Sequence, residues 1–151
     1  MKPVFIAHRG NVDGKDPSNE NKLEYIRHAL NLGHFVEIDI NYRDGKLYLG
    51  HDDIQEECPR WIINDPGVYT HAKDVDALKM VLSTIPDANV FWHESDTVTF
   101  TKFGHLWCHP GHYVDSKRAI WLDLPELSDT PLPPLGEIYG VCGDDIKRIQ
   151  K

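Results

Sequence analysis

"FVEIDINYRDGKLYLGHDD", residues 35–53, alternates apolar and polar side chains, turns at Asp44-Gly45 and then alternates again. A strand repeats every two residues, so Val36, Ile38 and Ile40 take one face while Glu37, Asp39 and Asn41 take the other. Asp-Gly between two such runs signals a tight hairpin turn. "LYLGHDD" is therefore the returning strand, with His51 and Asp52 at its end.

Upstream, "PVFIAH" (3–8) is a short apolar run that reads as a buried strand, and polar "GNVDGKDPSNEN" is a loop. Ser18 or Asn19 is expected to cap the next helix, in which Leu23, Ile26, Ala29 and Leu30 share a face and Gly33 ends it. Downstream, "VYTHAK" (68–73) is a third strand. Asp74 caps a helix that turns Val75, Leu78, Val81, Leu82 and Ile85 inward until Pro86 stops it. "ANVFWHE", "TFTKFGHLWCH", "AIWLDL" and "IYGVCGDD" are further extended segments, and the Pro- and Gly-rich linkers among the last three leave little room for helices.

Strand, helix, strand, strand, helix, strand is the order of parallel α/β proteins. About seven strands in one chain of 151 residues imply an abbreviated TIM-barrel-like α/β fold, with several helices shortened or missing, filling residues 1–151 as one domain. The net charge of -8, with Lys and Arg never gathered into a patch, argues against nucleic acid and against an anionic membrane surface as partners. Cys58, Cys108 and Cys142 are odd in number and widely spaced, which suits a reducing compartment and small buried apolar roles. With no leader-like start and no long apolar run, the expectation is a soluble, cytoplasmic protein.

Glu37 and Asp39 lie two apart on one strand face, where their charges repel unless something positive sits between them. A hard divalent cation with oxygen ligands, Mg²⁺ or Ca²⁺, is the natural occupant; the plainer reading is the exposed face of an amphipathic edge strand. The neighbourhood favours the first. His8-Arg9 ends the first strand, His51-Asp52 ends the hairpin, and His71 with Lys73 ends the third strand. In parallel α/β folds these strand ends share one rim, where active sites are built. Each group suits phosphodiester cleavage: a metal to polarise a phosphoryl oxygen, Arg9 and Lys73 to offset phosphate charge, and two histidines to serve as base and acid.

"IAHRGN", "NEN", "VEIDINYRDGKLYLGHDD" and "GVCGDDI" resemble the glycerophosphodiester phosphodiesterase family, over residues 4–53 in order and approximate spacing. That family is similar in fold to phosphatidylinositol-specific phospholipases C, a TIM barrel with one divalent metal. The resemblance implies acid/base roles for His8 and His51, phosphate contact by Arg9, metal binding by Glu37 and Asp39, and support around Arg9 from Glu20. The family's third-strand motif carries an acid two positions before a lysine. Here "HAK" puts His71 in the acid's place before Lys73, so His71 becomes the third candidate metal ligand and the site loses a negative charge. The segment after His51 is too short for the inserted subdomain of many family members.

His93 either extends the site or is a hydrogen-bonded core histidine. "WCHPGH" (107–112) matches no standard zinc spacing and reads as a loop with an aromatic wall. Trp92, Trp107 and Trp121 are expected in the core or at the rim, and His28, His34 and His105 at the surface. Asp144 and Asp145 either face the rim or cap a helix. Asp52 either orients His51 or merely ends the hairpin. The expected function is hydrolysis of a small alcohol-linked phosphodiester; the alternative is a catalytically weak or inactive barrel that binds a phosphorylated ligand or protein partner. Missing helices would expose apolar strand faces that a second copy of the chain could cover, forming a homo-oligomer.

Overall fold

A computed structural model describes residues 2–151. The chain runs β1 (Val4–His8), α1 (Leu23–Asn31), β2 (Phe35–Arg43), β3 (Lys46–Leu49), β4 (Glu56–Glu57), α2 (Arg60–Ile63), β5 (Val68–Ala72), α3 (Val75–Thr84) and β6 (Asn89–Phe91). It continues through β7 (Val98–Phe100), β8 (Leu106–Cys108), β9 (Ala119–Asp123), a 3-10 turn at Leu135–Glu137, β10 (Gly140–Gly143) and α4 (Ile146–Ile149). The fold is mixed α/β, and its strands form one curled, half-barrel sheet.

Seven of the strands are parallel, in the order β6-β5-β2-β1-β10-β9-β8. β3 and β7 are added antiparallel to them, and β4 pairs antiparallel with β3. Strand β2 is the hub. One edge pairs with β1 over Phe35–Glu37 and with β3 over Ile40–Arg43, while its other edge carries β5. Among the described residues β6 and β8 share no ladder. Between them the Lys102 N–H donates to the Val90 carbonyl (2.9 Å) and the Phe91 and Trp107 rings lie 4.6 Å apart.

The period-2 reading of β2 holds: Val36, Ile38 and Ile40 pack with Ile26, Ala29, Ala77 and Val81 in the layer between sheet and helices. Each such fully buried aliphatic side chain contributes about 1.5–3 kcal/mol. The concave face carries a second, smaller core of Ile6, Tyr69, Phe91, Trp107, Ile120 and Cys142. The three cysteines are free and buried, as small apolar residues would be.

Several boundaries differ from expectation. Helix α1 starts at Leu23 and its cap position, Lys22, makes no side-chain cap bond, so neither Ser18 nor Asn19 caps it. The chain before it is diverted: Asn19 closes a turn onto Asp16, and Asn21 turns left-handed (φ 59). At the other end Gly33 (φ 85) donates to the Leu30 carbonyl and His34 to that of Ala29, the paired bonds of a Schellman stop. In α3 the Asp74 cap is present, its carboxylate accepting from the Ala77 N–H at 2.7 Å, but the buried stripe is Ala77, Val81 and Ile85. Val75 and Leu82, a heptad apart, lie outside the stripe and are exposed. "TFTKFGHLWCH" is a hairpin rather than one extended segment, because Gly104 (φ 84) turns β7 back onto β8. Of the helices, only α1 and α3 exceed four residues among those described.

Candidate active site

Register places the functional side chains next to one another. His8 ends β1 and pairs with Glu37 on β2, and Asp39 pairs with His71 on β5. All four side chains are buried on the concave face. Lys73 follows β5 directly, its backbone N–H donating to the Ile40 carbonyl at 2.9 Å.

The turn after β1 is strained and braced. Arg9 has φ 53, a left-handed conformation that costs a side-chain-bearing residue about 1–2 kcal/mol. In return its N–H points at Glu37 Oε2, 3.2 Å away, and its carbonyl accepts from the Asn21 N–H at 3.0 Å. Gly10 (φ 89) passes beneath Tyr25, where a Cβ would meet the Tyr25 ring at 2.9 Å. The Arg9 guanidinium reaches Glu20 through Nη1 (3.2 Å) and sits with Nε 3.1 Å from Asp39 Oδ2. That Nε–H is not aligned for a hydrogen bond, so the Arg9–Asp39 contact is an ion pair by charge alone.

Asp39, 1% exposed, is held from every side. Asn21 Nδ2 donates to its Oδ2 and its backbone N–H donates to Asn21 Oδ1, both at 2.9 Å. His71 Nδ1 stands 3.2 Å from Asp39 Oδ1 and 3.7 Å from Glu37 Oε1. Burial alone would raise the Asp39 pKa, but the His71 hydrogen bond and the charges of His71, Arg9 and His51 hold it well below the usual carboxylate range. The same contacts raise His71 against the lowering effect of its burial.

His8 Nδ1 is 2.8 Å from Asp144 Oδ1, and the same oxygen accepts from Asn11 Nδ2 at 2.8 Å. Burial lowers the His8 pKa, yet the Asp144 bond and the Glu37 and Asp144 charges outweigh it and the net shift is upward. Asp144 itself is desolvated, but its bond to His8 pulls its pKa down overall. Of the adjacent pair, Asp145 is the residue that caps a helix, accepting from the Arg148 N–H at the start of α4.

His51 is brought to the rim by the turn after β3. Gly50 (φ 143) leaves no room for a side chain, since a Cβ would lie 1.9 Å from the Asp53 carbonyl oxygen. Asn41 Nδ2 fastens the turn by donating to the Gly50 carbonyl at 2.6 Å. Lys73 Nζ lies 3.2 Å from His51 Nε2. An ammonium can only donate, so Nε2 accepts and the ring carries its proton on Nδ1, 3.0 Å from Asp52 Oδ1. Asp52 is 87% exposed, so it lies beside His51 as expected but holds it weakly.

One cavity of about 140 Å³ gathers these groups. His8, Arg9, Glu37, Asp39, His51 and His71 line it, and Lys73 completes that side. Glu20 and Asp52 stand behind, flanking a neighbouring recess that Arg9 and His51 also border. Across the cavity lie His93 and, from β8 and β9, Trp107 and Leu122. The His93 ring stacks on His71 at 4.7 Å, and burial with the charges of His71, Lys73 and His109 pushes its pKa down to about 4. His105, by contrast, is not a surface residue. It is half-buried below, with its ring 4.0 Å from that of Tyr139.

Glu37, Asp39 and His71 each offer a ligand atom within 4.8 Å of the others. Two carboxylates and an imidazole on rigid strands form a donor set that fits a divalent cation, and Arg9 offsets part of their charge. To ligate through Nδ1, His71 would have to release the proton it directs at the two carboxylates.

Asn11 and Asn21 are not among the residues the sequence singles out, whereas Asp144, left there between the rim and a helix cap, faces the rim and holds His8. Asp144 and His93, each left between two readings by the sequence, extend the two-residue period of Gly140-Cys142 and Phe91, and that strand parity favours the cavity for both. Nothing local marks Asn21 and Asn11, whose roles depend on where the β1–α1 loop folds back. Comparison with protein-family models, curated proteins and solved structures gave no match for this chain.

Proposed function

We propose that the protein is a metal-dependent phosphodiester hydrolase of the glycerophosphodiester phosphodiesterase type, on an abbreviated TIM-barrel-like scaffold, with Glu37, Asp39 and His71 as ligands for one Mg²⁺ or Ca²⁺ ion. The observation that carries this reading is that two differently held histidines, His8 and His51, line the same cavity as the acidic triad and two cations. A divalent ion there would polarise a non-bridging phosphoryl oxygen and lower the pKa of an attacking hydroxyl.

The remaining roles follow from the contacts. His8 keeps its proton towards neutral pH because Asp144 and Glu37 stabilise the imidazolium, which suits it to protonate the departing alkoxide. His51 presents Nε2 to Lys73. A phosphate oxygen entering beside Lys73 draws the ammonium away and frees that lone pair to take the nucleophile's proton. Arg9, anchored by Glu20 and Asp39, opposes the phosphate charge.

The test is hydrolysis of bis-p-nitrophenyl phosphate and a set of glycerophosphodiesters with Mg²⁺ or Ca²⁺, in the wild type and in His8→Ala and Glu37→Gln. Loss of a general acid is worth about 10²–10⁴ in rate, so His8→Ala should fall at least a hundredfold on the glycerophosphodiesters, whose alkoxide needs the proton, and Glu37→Gln should lose the metal-dependent turnover of every substrate. Activity that persists in both would refute the mechanism. A second reading, a binder of phosphorylated ligands without turnover, draws on the Asp39 carboxylate already being matched by Asn21, Arg9 and His71. Metal-dependent thermal stabilisation with no hydrolysis across the set would select it.

A further inference from the structure

The cavity is chemically divided. Its β1, β2 and β5 side carries the charged groups, whereas the arc from β8, β9 and the loops after them contributes Trp107, Pro110, Leu122, Leu124 and Leu127. The polar groups near that arc sit at its solvent edge or are already engaged. Thr99 spends its hydroxyl on the Trp92 carbonyl (3.3 Å), and Asp96 and His109 are exposed. His93, partly buried with its Nδ1 unpaired, is the polar group set among these apolar side chains and is placed to meet an ester oxygen. Hydroxyl groups pressed against such a wall would lose water without gaining partners, which penalises glycerol relative to a hydrocarbon group. Leu127 lines the cavity although 61% exposed, so an apolar surface continues outward into solvent.

From this division we infer that the β8–β9 arc is a subsite for an apolar ester group, so that the substrate is a phosphodiester with an alkyl or aryl alcohol on one side rather than a polyol. The inference rests on the phosphodiesterase reading for the phosphate half of the site. The size agrees with a short group: a dry cavity of about 150 Å³ holds one benzene ring, so within about 140 Å³ the phosphate and a few carbons fit while the rest emerges over Leu127.

The experiment measures binding of hexyl phosphate and glycerol 3-phosphate to the full chain with Mg²⁺ by calorimetry, and in parallel hydrolysis of the matched hexyl and glyceryl p-nitrophenyl phosphates. The expected result is hexyl phosphate bound at least tenfold more tightly. The preference should shrink about threefold or more in Leu127→Glu, an exposed position where folding is not at risk, and in Leu122→Thr, with melting curves checking both. Diester hydrolysis with equal or tighter binding of glycerol 3-phosphate would overturn the apolar subsite and leave the phosphodiesterase reading standing. Selective binding of hexyl phosphate without hydrolysis of either diester would support the subsite and count against the catalytic reading. Binding of neither compound would overturn the subsite.

Discussion

Replacing Asn21 should be among the most damaging single changes to the site, although Asn21 is not itself a candidate catalytic residue. It is 1% exposed and makes two hydrogen bonds to Asp39, one to the carboxylate and one from the backbone N–H. A bond to a charged acceptor contributes about 1.5–3 kcal/mol, and orphaning a buried N–H costs about 1–3 kcal/mol. Asn21→Gly removes both bonds while tolerating φ 59, so its loss should be about 3–5 kcal/mol. Asn21→Ala adds about 1 kcal/mol more, because alanine resists the left-handed conformation. In a domain of this size 1 kcal/mol moves the melting temperature by about 2–4 °C, so Asn21→Gly should melt at least about 6 °C lower and Asn21→Ala lower still. In an Asp39→Asn background the same replacements should cost at least about 1 kcal/mol less, since the charge is gone. A fall under about 2 °C for Asn21→Gly, or Asn21→Ala melting above it, would refute the reasoning.

Asp144→Asn should destabilise the protein in a pH-dependent way. The raised His8 pKa contributes stability below about 6.5 that fades as pH rises through its folded value, and the lowered Asp144 pKa contributes stability above about 3.8 that fades on acidification. The penalty should therefore be larger at pH 5.5 than at pH 9 in paired melting curves, and a pH-independent penalty would contradict it. His93 should titrate near 4 in histidine NMR spectra, and a midpoint near 6.5 would show that it is neither buried nor close to the positive groups assigned to it. Gly50→Ala should cost more than about 2 kcal/mol by denaturant unfolding, or else displace His51 and abolish its contact with Lys73. Wild-type stability with an unchanged His51–Lys73 contact in that variant would contradict the packing at Gly50.

The legible part of this molecule was the part governed by short periods. Alternation in β2 separated Ile38 from Glu37 and Asp39, the Asp44-Gly45 turn placed the hairpin, and strand ends gathered His8, His51 and His71 at one rim. What was not legible depends on loops that close over long separations. Asn21 and Asn11 act through the fold-back of the segment between β1 and α1, and Asp144 reaches His8 across 136 residues of chain. The β7–β8 hairpin was hidden because Phe100, Phe103 and Leu106 keep the run apolar through the turn, and Val75 and Leu82 look inward only until α3 is oriented by Ala77 and Val81 against the sheet.

The account stands or falls on what occupies the space among Glu37, Asp39 and His71. A crystal grown with Ca²⁺ and hexyl phosphate tests it directly. The account predicts an ion bound by oxygens of Glu37 and Asp39 at about 2.3–2.6 Å, with His71 Nδ1 turned onto it and phosphate oxygens against Arg9 and Lys73. An ion-free site, with His71 still directed at both carboxylates at saturating Ca²⁺, would contradict it.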